Sequence, residues 1–289
     1  MRLREFADRR PALAFVLLTY ALTWGLVSPV ATALVGKSIG QLPVWLLGLG
    51  LIGAYGPTLS AIILTGIRFG KPGLRALFRK LLLWRVGIGW WLYALLLPAA
   101  LYVGALAVYA ATGGVVGSFI PALGLGRLAP TLLFLLPFGP LAEELGWRGY
   151  LLPHLQQRTT ALFASLALGV IWTAWHLPFF WIPGAALPAG SPVNLTTVGP
   201  YLLGTTGTAV FFTVLANHSK GSVLLAIVLH LMSNGTRQVI RLMLPSLTAA
   251  GATTVQSQEL IVGWLSVVLL LLVFGARHLT RKPEDVVTT

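Results

Sequence analysis

Cysteine is absent from this chain of 289 residues, and only seven acidic residues stand against twenty Lys and Arg. Without cysteine the chain has no disulfide, no thiolate metal site and no Cys of its own to be prenylated. Charged residues make up 9% of the chain and hydrophobic residues 56%, whereas soluble domains are roughly one quarter charged. The composition therefore predicts one integral membrane domain covering residues 1–289, and not two soluble domains.

The positive charge is concentrated in short segments between apolar runs. The formal net charge is +13, and clusters of Lys and Arg occupy residues 2–10 and 68–85. Basic segments that flank apolar runs are typical of cytoplasmic membrane loops and of contact with anionic lipid. The predicted partner is the lipid bilayer, and nucleic acid is not expected.

Eight apolar runs of about 18 residues or more predict an all-α fold, a polytopic bundle of about eight transmembrane helices. They cover residues 11–35, 42–67, 86–111, 129–153, 160–182, 197–216, 222–244 and 260–277. Three prolines, Pro130, Pro137 and Pro140, interrupt the fourth run. The chain is thus expected to be a multi-pass protein of a prokaryotic plasma membrane.

The distribution of basic residues over the eight spans predicts the orientation in the membrane. Four basic residues fall on one side, namely Lys37, Arg127, Arg237 and Arg241, while Arg148 lies inside a span. The remaining fifteen of the twenty fall on the other side. The side richer in Lys and Arg is normally cytoplasmic, so both termini are predicted to face the cytoplasm.

Ionisable side chains inside the predicted spans are the candidate functional residues. Each costs at least about 2.5 to 3.5 kcal/mol near the centre of the hydrocarbon, so those present should be paired or functional. Five such residues, and one amide that accompanies them, lie on the fourth, fifth and seventh runs: Glu143, Glu144, Arg148, His176, His230 and Asn234. These runs define a motif-bearing core at about residues 129–244. Counting about 1.5 Å per residue places the groups towards the cytoplasmic half.

Helical spacing predicts different tasks for the two adjacent glutamates. Glu144 lies four residues before Arg148 on the same helix face and can form an ion pair with it. Glu143 is rotated by about 100° and has no such partner, which leaves it available as a general base. A helix that restarts at Pro140 would line a water-accessible pocket, because broken helices survive in membranes only where protein or a cavity covers them.

Three short motifs resemble those of a known family of membrane proteins. The sequence EELGWR at 143–148 is similar to a Glu-Glu-x-x-x-Arg motif, WTAWH at 172–176 to Phe-x-x-x-His, and HLMSN at 230–234 to His-x-x-x-Asn. In this order they resemble the CPBP family of intramembrane proteases, which contains CAAX prenyl endopeptidases and bacterial bacteriocin-processing and immunity relatives. Trp172 stands where that family usually has Phe.

The resemblance implies hydrolysis of a peptide bond by an intramembrane endopeptidase. It implies that Glu143 activates water with the assistance of His176, that His230 and Asn234 stabilise the oxyanion, and that Glu144 and Arg148 orient the site. Trp172 and Trp147 lie among the motifs and are expected to line the substrate pocket. Glu143, His176 and His230 are also the ligand types of catalytic zinc sites, so both a metal-dependent and a metal-free mechanism stay open.

Other readings of the same residues stay open at this point. The polar cluster also suits a non-hydrolytic membrane protein, either a proton-coupled carrier or an immunity or scaffold factor. Glu144 with Arg148 also suits a purely structural ion pair, and Asn234 a hydrogen bond between helices. The substrate is open as well: a prenylated CAAX protein, a bacteriocin leader, a membrane-anchored regulator or a peptide.

Overall fold

The structure, a computed structural model, describes residues 3–280 and contains no β-strand in that range. The all-α fold class is therefore confirmed. The α-helices of the described range are α1 (Leu3–Arg9), α2 (Pro11–Ala33), α3 (Val44–Ala54), α4 (Gly56–Arg79), α5 (Ile88–Ala111), α6 (Pro121–Leu135), α7 (Pro140–Gly146), α8 (Leu152–Gln156), α9 (Ala161–Trp175), α10 (Leu195–His218), α11 (Val223–Leu242) and α12 (Ala249–Phe274).

Several of these helices begin where a polar side chain caps the first turn. Thr160 Oγ1 accepts a hydrogen bond from the Phe163 backbone N–H at the start of α9, and Ser222 Oγ accepts one from Leu225 at the start of α11. Such caps satisfy a backbone donor that has no partner within the helix. The apolar runs continue each helix from there.

Within residues 3–280, six helices are long and apolar enough to cross a membrane. A seventh span results if Val44–Ala54 and Gly56–Leu82, which meet at a bend of 57°, are counted together. The run predicted at residues 160–182 contains the 15-residue helix α9, followed by a 3-10 helix, Leu177–Trp181. Each predicted apolar run thus contains helix, and the expectation of about eight spans agrees roughly with the six or seven observed.

The outer surface of the bundle is apolar, as a lipid-facing surface must be. In α12, only three of 26 residues are buried in the protein. Leu265, Leu269 and Leu272 on this helix are 64%, 60% and 79% exposed. A soluble protein rarely shows so continuous an apolar face, whereas hydrocarbon covers it without penalty. The protein is therefore an integral, multi-pass membrane protein.

The fourth predicted span, residues 129–153, is not a single helix. Helix α6 ends in a 3-10 turn, Leu136–Phe138, and α7 begins at Pro140 after Gly139. Proline has no N–H to donate and its ring clashes with the preceding turn, so Pro137 and Pro140 favour a break here. The expected restart at Pro140 is confirmed, and it places Glu143 in the first turn of α7.

Glycines let the central helices approach closely enough to enclose the motif residues. A Cβ on Gly146 would lie 2.5 Å from the Pro57 backbone, and one on Gly169 would lie 2.5 Å from Thr206 Cα. Both distances are shorter than any real contact, so α7 packs on α4 and α9 on α10 backbone to backbone. Small residues are the usual means of close helix packing in membranes.

Loop contacts show which segments share an end of the bundle. Arg158 donates to the Arg9 carbonyl, Ser222 donates to the Leu83 carbonyl, and the Ala161 N–H donates to the Arg277 carbonyl. These segments share one end, as the predicted order of spans requires. The prediction that this end is cytoplasmic also counted Arg2, Arg281 and Lys282, which lie outside the described residues.

Candidate active site

The motif residues occupy three neighbouring elements in the middle of the bundle. Helix α7 carries Glu143 and Glu144 and leads directly into a π-helical turn, Trp147–Leu151, which carries Arg148. Helix α9 supplies Trp172 and is followed directly by His176, while α11 supplies His230 and Asn234. Single π-helical turns within helices occur frequently at functional sites.

The Glu143 carboxylate is buried and held by two indole groups. Its side chain is 3% exposed, and its Oε2 accepts hydrogen bonds from Trp147 Nε1 at 3.0 Å and from Trp172 Nε1 at 2.6 Å. No basic side chain among residues 3–280 lies within ion-pair distance of this carboxylate. One oxygen is thereby fixed by neutral donors, and Oε1 stays available to another group.

Glu144 forms a charged network with the third motif. Arg148 Nη1 donates to its Oε1 at 2.8 Å and to its Oε2 at 3.0 Å. His230 Nδ1 lies 2.7 Å from the same Oε1. A carboxylate that faces Arg148 is an acceptor, so His230 Nδ1 carries the proton and donates. The ion pair predicted from the spacing is present, and it also orients the histidine of a different helix.

Arg148 is enclosed almost completely by aromatic rings. Its side chain is 2% exposed, and its guanidinium carbon lies 3.8 Å from the Phe212 ring centroid and 4.5 Å from that of Trp172. Its Nη2 has no hydrogen-bond partner in the described part of the chain. Cation–π contact with a buried guanidinium compensates part of this loss. The arginine can therefore serve Glu144 only as long as the aromatic enclosure is intact.

Three functional atoms converge on one point beside Gly139. A Cβ placed on Gly139 would lie 3.2 Å from Asn234 Nδ2, 3.4 Å from His230 Nε2 and 3.5 Å from Glu143 Oε1. Glycine leaves this volume open. An atom placed there would be within or near hydrogen-bond distance of an amide donor, an imidazole nitrogen and a carboxylate oxygen, which is the arrangement expected around a reacting group.

His176 joins this group indirectly. Its Nδ1 lies 2.8 Å from the Trp172 carbonyl, which can only accept, so the proton is on Nδ1 and Nε2 is an acceptor. Its ring lies against Trp175 and Tyr201, with centroids 4.5 Å and 5.3 Å away. Within residues 3–280, His176 makes no hydrogen bond to Glu143 or His230. It is linked to them through Trp172, whose carbonyl faces His176, whose indole N–H donates to Glu143 and whose ring contacts His230.

The proposed metal ligands do not form a metal site in this conformation. Within residues 3–280, no group of three or more His, Asp or Glu side chains is arranged to hold a metal ion. Glu143 Oε2 faces two indoles and His230 Nδ1 faces Glu144, which leaves Glu143 Oε1 and His230 Nε2 as the atoms that could face a metal ion. The structure does not bring the three candidate ligands together within residues 3–280, so the proposed mechanism is derived from the side chains alone.

Sequence reasoning missed three features of the site. Glu143 was expected to lack a partner, but it has two neutral ones, and Trp147 stands four residues after it as Arg148 does after Glu144. The i,i+4 spacing of Glu143 and Trp147 would have predicted this hydrogen bond. Gly139 was not singled out, although it directly precedes the Pro140 restart, and Phe212 had no motif to mark it.

Comparison with known proteins agrees with the motifs. Residues 125–236 match the family model described as type II CAAX prenyl endopeptidase Rce1-like. CAAX prenyl protease 2 of Methanococcus maripaludis is 28% identical over 109 residues, which cover 38% of this chain. The match spans 40% of that relative's own length. The segment that matches the family model, residues 125–236, contains all three motifs. The resemblance drawn from these motifs is thus confirmed at the level of the family.

Proposed function

We propose that this protein, whose residues 125–236 match the type II CAAX prenyl endopeptidase Rce1-like family model, is an intramembrane endopeptidase in which Glu143 activates a water molecule. The substrate class is a membrane-associated peptide or lipidated protein. The observation that carries the proposal is the convergence of Glu143 Oε1, His230 Nε2 and Asn234 Nδ2 beside Gly139.

Glu143 is the general base of the proposed reaction. Its Oε2 is held by two indole N–H groups, so the second oxygen points to the open volume and can take a proton from water. A positioned base typically contributes about 10²- to 10⁴-fold to the rate. The hydroxide that forms would attack the carbonyl carbon of the scissile peptide bond.

His230 and Asn234 stabilise the oxyanion that this attack produces. Asn234 can donate from its amide directly. His230 already donates its Nδ1 proton to Glu144, so its Nε2 must first be protonated before it can donate to an oxyanion. The adjacent Glu144 carboxylate stabilises the imidazolium, much as the buried aspartate of a catalytic triad does. The proton that Glu143 removes from water is relayed to His230 Nε2, and the imidazolium gives it to the leaving amine as the C–N bond breaks, which returns both residues to their starting states.

His176 assists in the proposed mechanism from the other side of Trp172. Its Nε2 has a free lone pair, because Nδ1 donates to the Trp172 carbonyl. A water bridge from Nε2 to the attacking water would help to hold that water near Glu143. The proposal predicts that substitution of His176 lowers the rate less than substitution of Glu143.

The test is cleavage by purified full-length protein reconstituted in lipid vesicles. The substrates are a fluorogenic farnesylated CAAX peptide, the same peptide without the lipid, and a mixed peptide library. Wild type is expected to cleave, and Glu143→Gln to lose at least about 100-fold, because glutamine cannot accept the proton. Folding of the variant is checked by thermal unfolding in the same vesicles.

The outcomes separate the proposal from its alternatives. Preference for the farnesylated peptide would assign the lipidated substrate, and cleavage of the library alone would assign an unlipidated one. Retention of activity by Glu143→Gln would contradict the glutamate mechanism. Loss of wild-type activity with a chelator would show a metal that the ligand geometry does not predict. Absence of any cleavage by folded wild type would favour the carrier or scaffold reading.

A further inference from the structure

A cavity with two basic side chains in its lining lies at the basic end of the bundle, and it shares no lining residue with the motif site. It has a volume of about 350 Å³ and is lined by residues 82–86 and by Ser219 and Lys220. The two segments are tied together, because Ser222 Oγ donates to the Leu83 carbonyl at 2.7 Å. The cavity is thus built between two loops that the fold holds in place.

Lys220 adopts a backbone conformation that lysine disfavours. Its φ is +56°, in the left-handed region, and the next residue, Gly221, has a φ of +71°. The turn between α10 and α11 therefore uses two consecutive left-handed residues, of which only one is glycine. Side chains with a Cβ are destabilised there, so glycine or asparagine would suit position 220 better. A lysine at such a position indicates a use for its ammonium group.

The lining of the cavity carries positive charge, and a buried hydroxyl lies next to it. Lys220 and Arg85 are exposed, and neither lies within 4.0 Å of a carboxylate among residues 3–280. Ser219 is fully buried, and its Oγ has no hydrogen-bond partner in the described part of the chain. Two cations without a carboxylate partner beside one cavity match the charge of an anion, and of a phosphate in particular.

The rim of the cavity is apolar and aromatic. Leu82 is 72% exposed and Trp84 is 57% exposed, and the Arg85 guanidinium carbon lies 5.1 Å from the Trp84 ring centroid. Exposed tryptophan is typical of the membrane–water interface, where its ring lies at the level of the headgroups. The loop therefore places its cations where lipid phosphates lie.

We propose that this cavity binds the phosphate of a phospholipid headgroup, held by Lys220 and Arg85, with acyl chains along Leu82 and Trp84. Basic pockets between helices at this level of a membrane can bind anionic lipid headgroups. Free phosphate shares the same chemistry, and the experiment below distinguishes the two sources. The proposal does not depend on the protease function.

The test follows thermal unfolding of the full-length protein in detergent at about 150 mM salt, where long-range charge effects are screened. Three additives are titrated: phosphatidylglycerol, phosphatidylcholine with the same acyl chains, and inorganic phosphate. A ligand that binds only the folded state raises Tm with its concentration. Phosphatidylglycerol is expected to raise the Tm of wild type more than phosphatidylcholine does.

Lys220→Gly gives the sharpest result, because two effects of opposite sign are expected. Without lipid its Tm should rise by about 2 to 4 °C, since glycine removes the left-handed strain. With phosphatidylglycerol its Tm should rise much less than that of wild type, since the ammonium is gone. Arg85→Gln should also reduce the lipid response, and Lys220→Asn, which tolerates the same φ, should resemble Lys220→Gly.

The control is Lys71→Gln, which removes an exposed lysine outside the cavity. It should keep the wild-type response to phosphatidylglycerol. An equal loss of response in Lys71→Gln would show a general charge effect and overturn the proposal, as would an unchanged response in Lys220→Gly and Arg85→Gln. An equal shift with inorganic phosphate, lost in the same two variants, would assign free phosphate as the ligand.

Discussion

At the scale of single residues, the adjacent carboxylates of Glu143 and Glu144 differ in what surrounds them. Glu144 neutralises an arginine that is 2% exposed, whereas Glu143 is held only by indole N–H groups. Removing one partner of a buried ion pair leaves the other charge uncompensated. We therefore expect Glu144→Gln to lower the free energy of unfolding by about 3 to 5 kcal/mol, measured by thermal unfolding in detergent.

Two variants complete this comparison. Glu143→Gln should unfold at nearly the wild-type temperature, because no buried cation depends on it. The double variant Glu144→Gln with Arg148→Met removes both charges and should recover much of the stability without recovering activity. A stability of Glu144→Gln equal to that of Glu143→Gln would mean that the ion pair contributes little to the fold.

Trp172 contributes a hydrogen bond that phenylalanine, the usual residue at this position of the Phe-x-x-x-His motif, cannot make. Its Nε1 donates to Glu143 Oε2 at 2.6 Å. Hydrogen bonds to charged groups contribute about 1.5 to 3 kcal/mol, and this one helps to hold the other oxygen towards the open volume beside Gly139. We expect Trp172→Phe to fold normally and to lower kcat by about tenfold or more, with KM little changed, in the cleavage assay.

The matched control is Trp181→Phe, at a tryptophan that is 56% exposed. It should leave kcat unchanged. A larger change in KM than in kcat for Trp172→Phe would instead make Trp172 a substrate-binding residue, as the sequence suggested.

Gly139 is expected to be essential because it has no side chain. A methyl group there would occupy the point on which Glu143, His230 and Asn234 converge. Gly139→Ala should therefore reduce kcat by about 100-fold or more, as displacement of reacting groups does, while its Tm stays near that of wild type. Gly126→Ala, where a Cβ would meet nothing within 4 Å, is the control. Full activity of Gly139→Ala would show that the reacting groups lie elsewhere.

At the scale of helices, close approach between backbones decides where the motifs meet. Trp172 and His176 reach the site because α9 packs directly on α10 at Gly169. On the other side, Trp175 Nε1 donates to Thr23 Oγ1, which donates to the Gly53 carbonyl, and both distances are 2.7 Å. Helix α9 is thus held by a close contact on one face and by a hydrogen-bond chain on the other.

Gly169→Ala tests this arrangement. Its Cβ would lie 2.5 Å from the backbone of Thr206, so α9 must move away from α10. Such overpacking costs about 1 to 3 kcal/mol, and we expect a lower Tm together with lower activity, because Trp172 moves with its helix. Gly263→Ala in α12, where the Cβ meets nothing within 4 Å, should keep both. A wild-type Tm for Gly169→Ala would show that the helices adjust without strain.

At the scale of the whole molecule, the absence of cysteine makes the predicted orientation directly testable. Lys37 and Lys71 are exposed and lie on opposite sides of the predicted membrane, with Lys71 in the basic segment. A thiol introduced at either position is the only one in the chain. We expect an impermeant maleimide to label Lys71→Cys in inside-out vesicles and Lys37→Cys in right-side-out ones. The reverse pattern would place the basic segment outside the cytoplasm and contradict the predicted orientation.

The sequence by itself determined the fold class, the membrane location and the identities of the motif residues. These follow from local properties: apolar runs long enough to span hydrocarbon, prolines that break a helix at Pro140, and the i,i+4 spacing of Glu144 and Arg148. Each depends on neighbours within a few residues along the chain. That is why they were predictable without knowing how the helices pack.

The tertiary structure alone decided how the motifs are connected. His230 faces Glu144, Trp172 faces Glu143, and His176 reaches the site only through Trp172. These contacts depend on helix rotation and on close approach at glycines, and many rotations satisfy the same hydropathy pattern because lipid is equally apolar on every side. The left-handed Lys220 is equally invisible in the sequence, because it arises from how the α10–α11 turn must close.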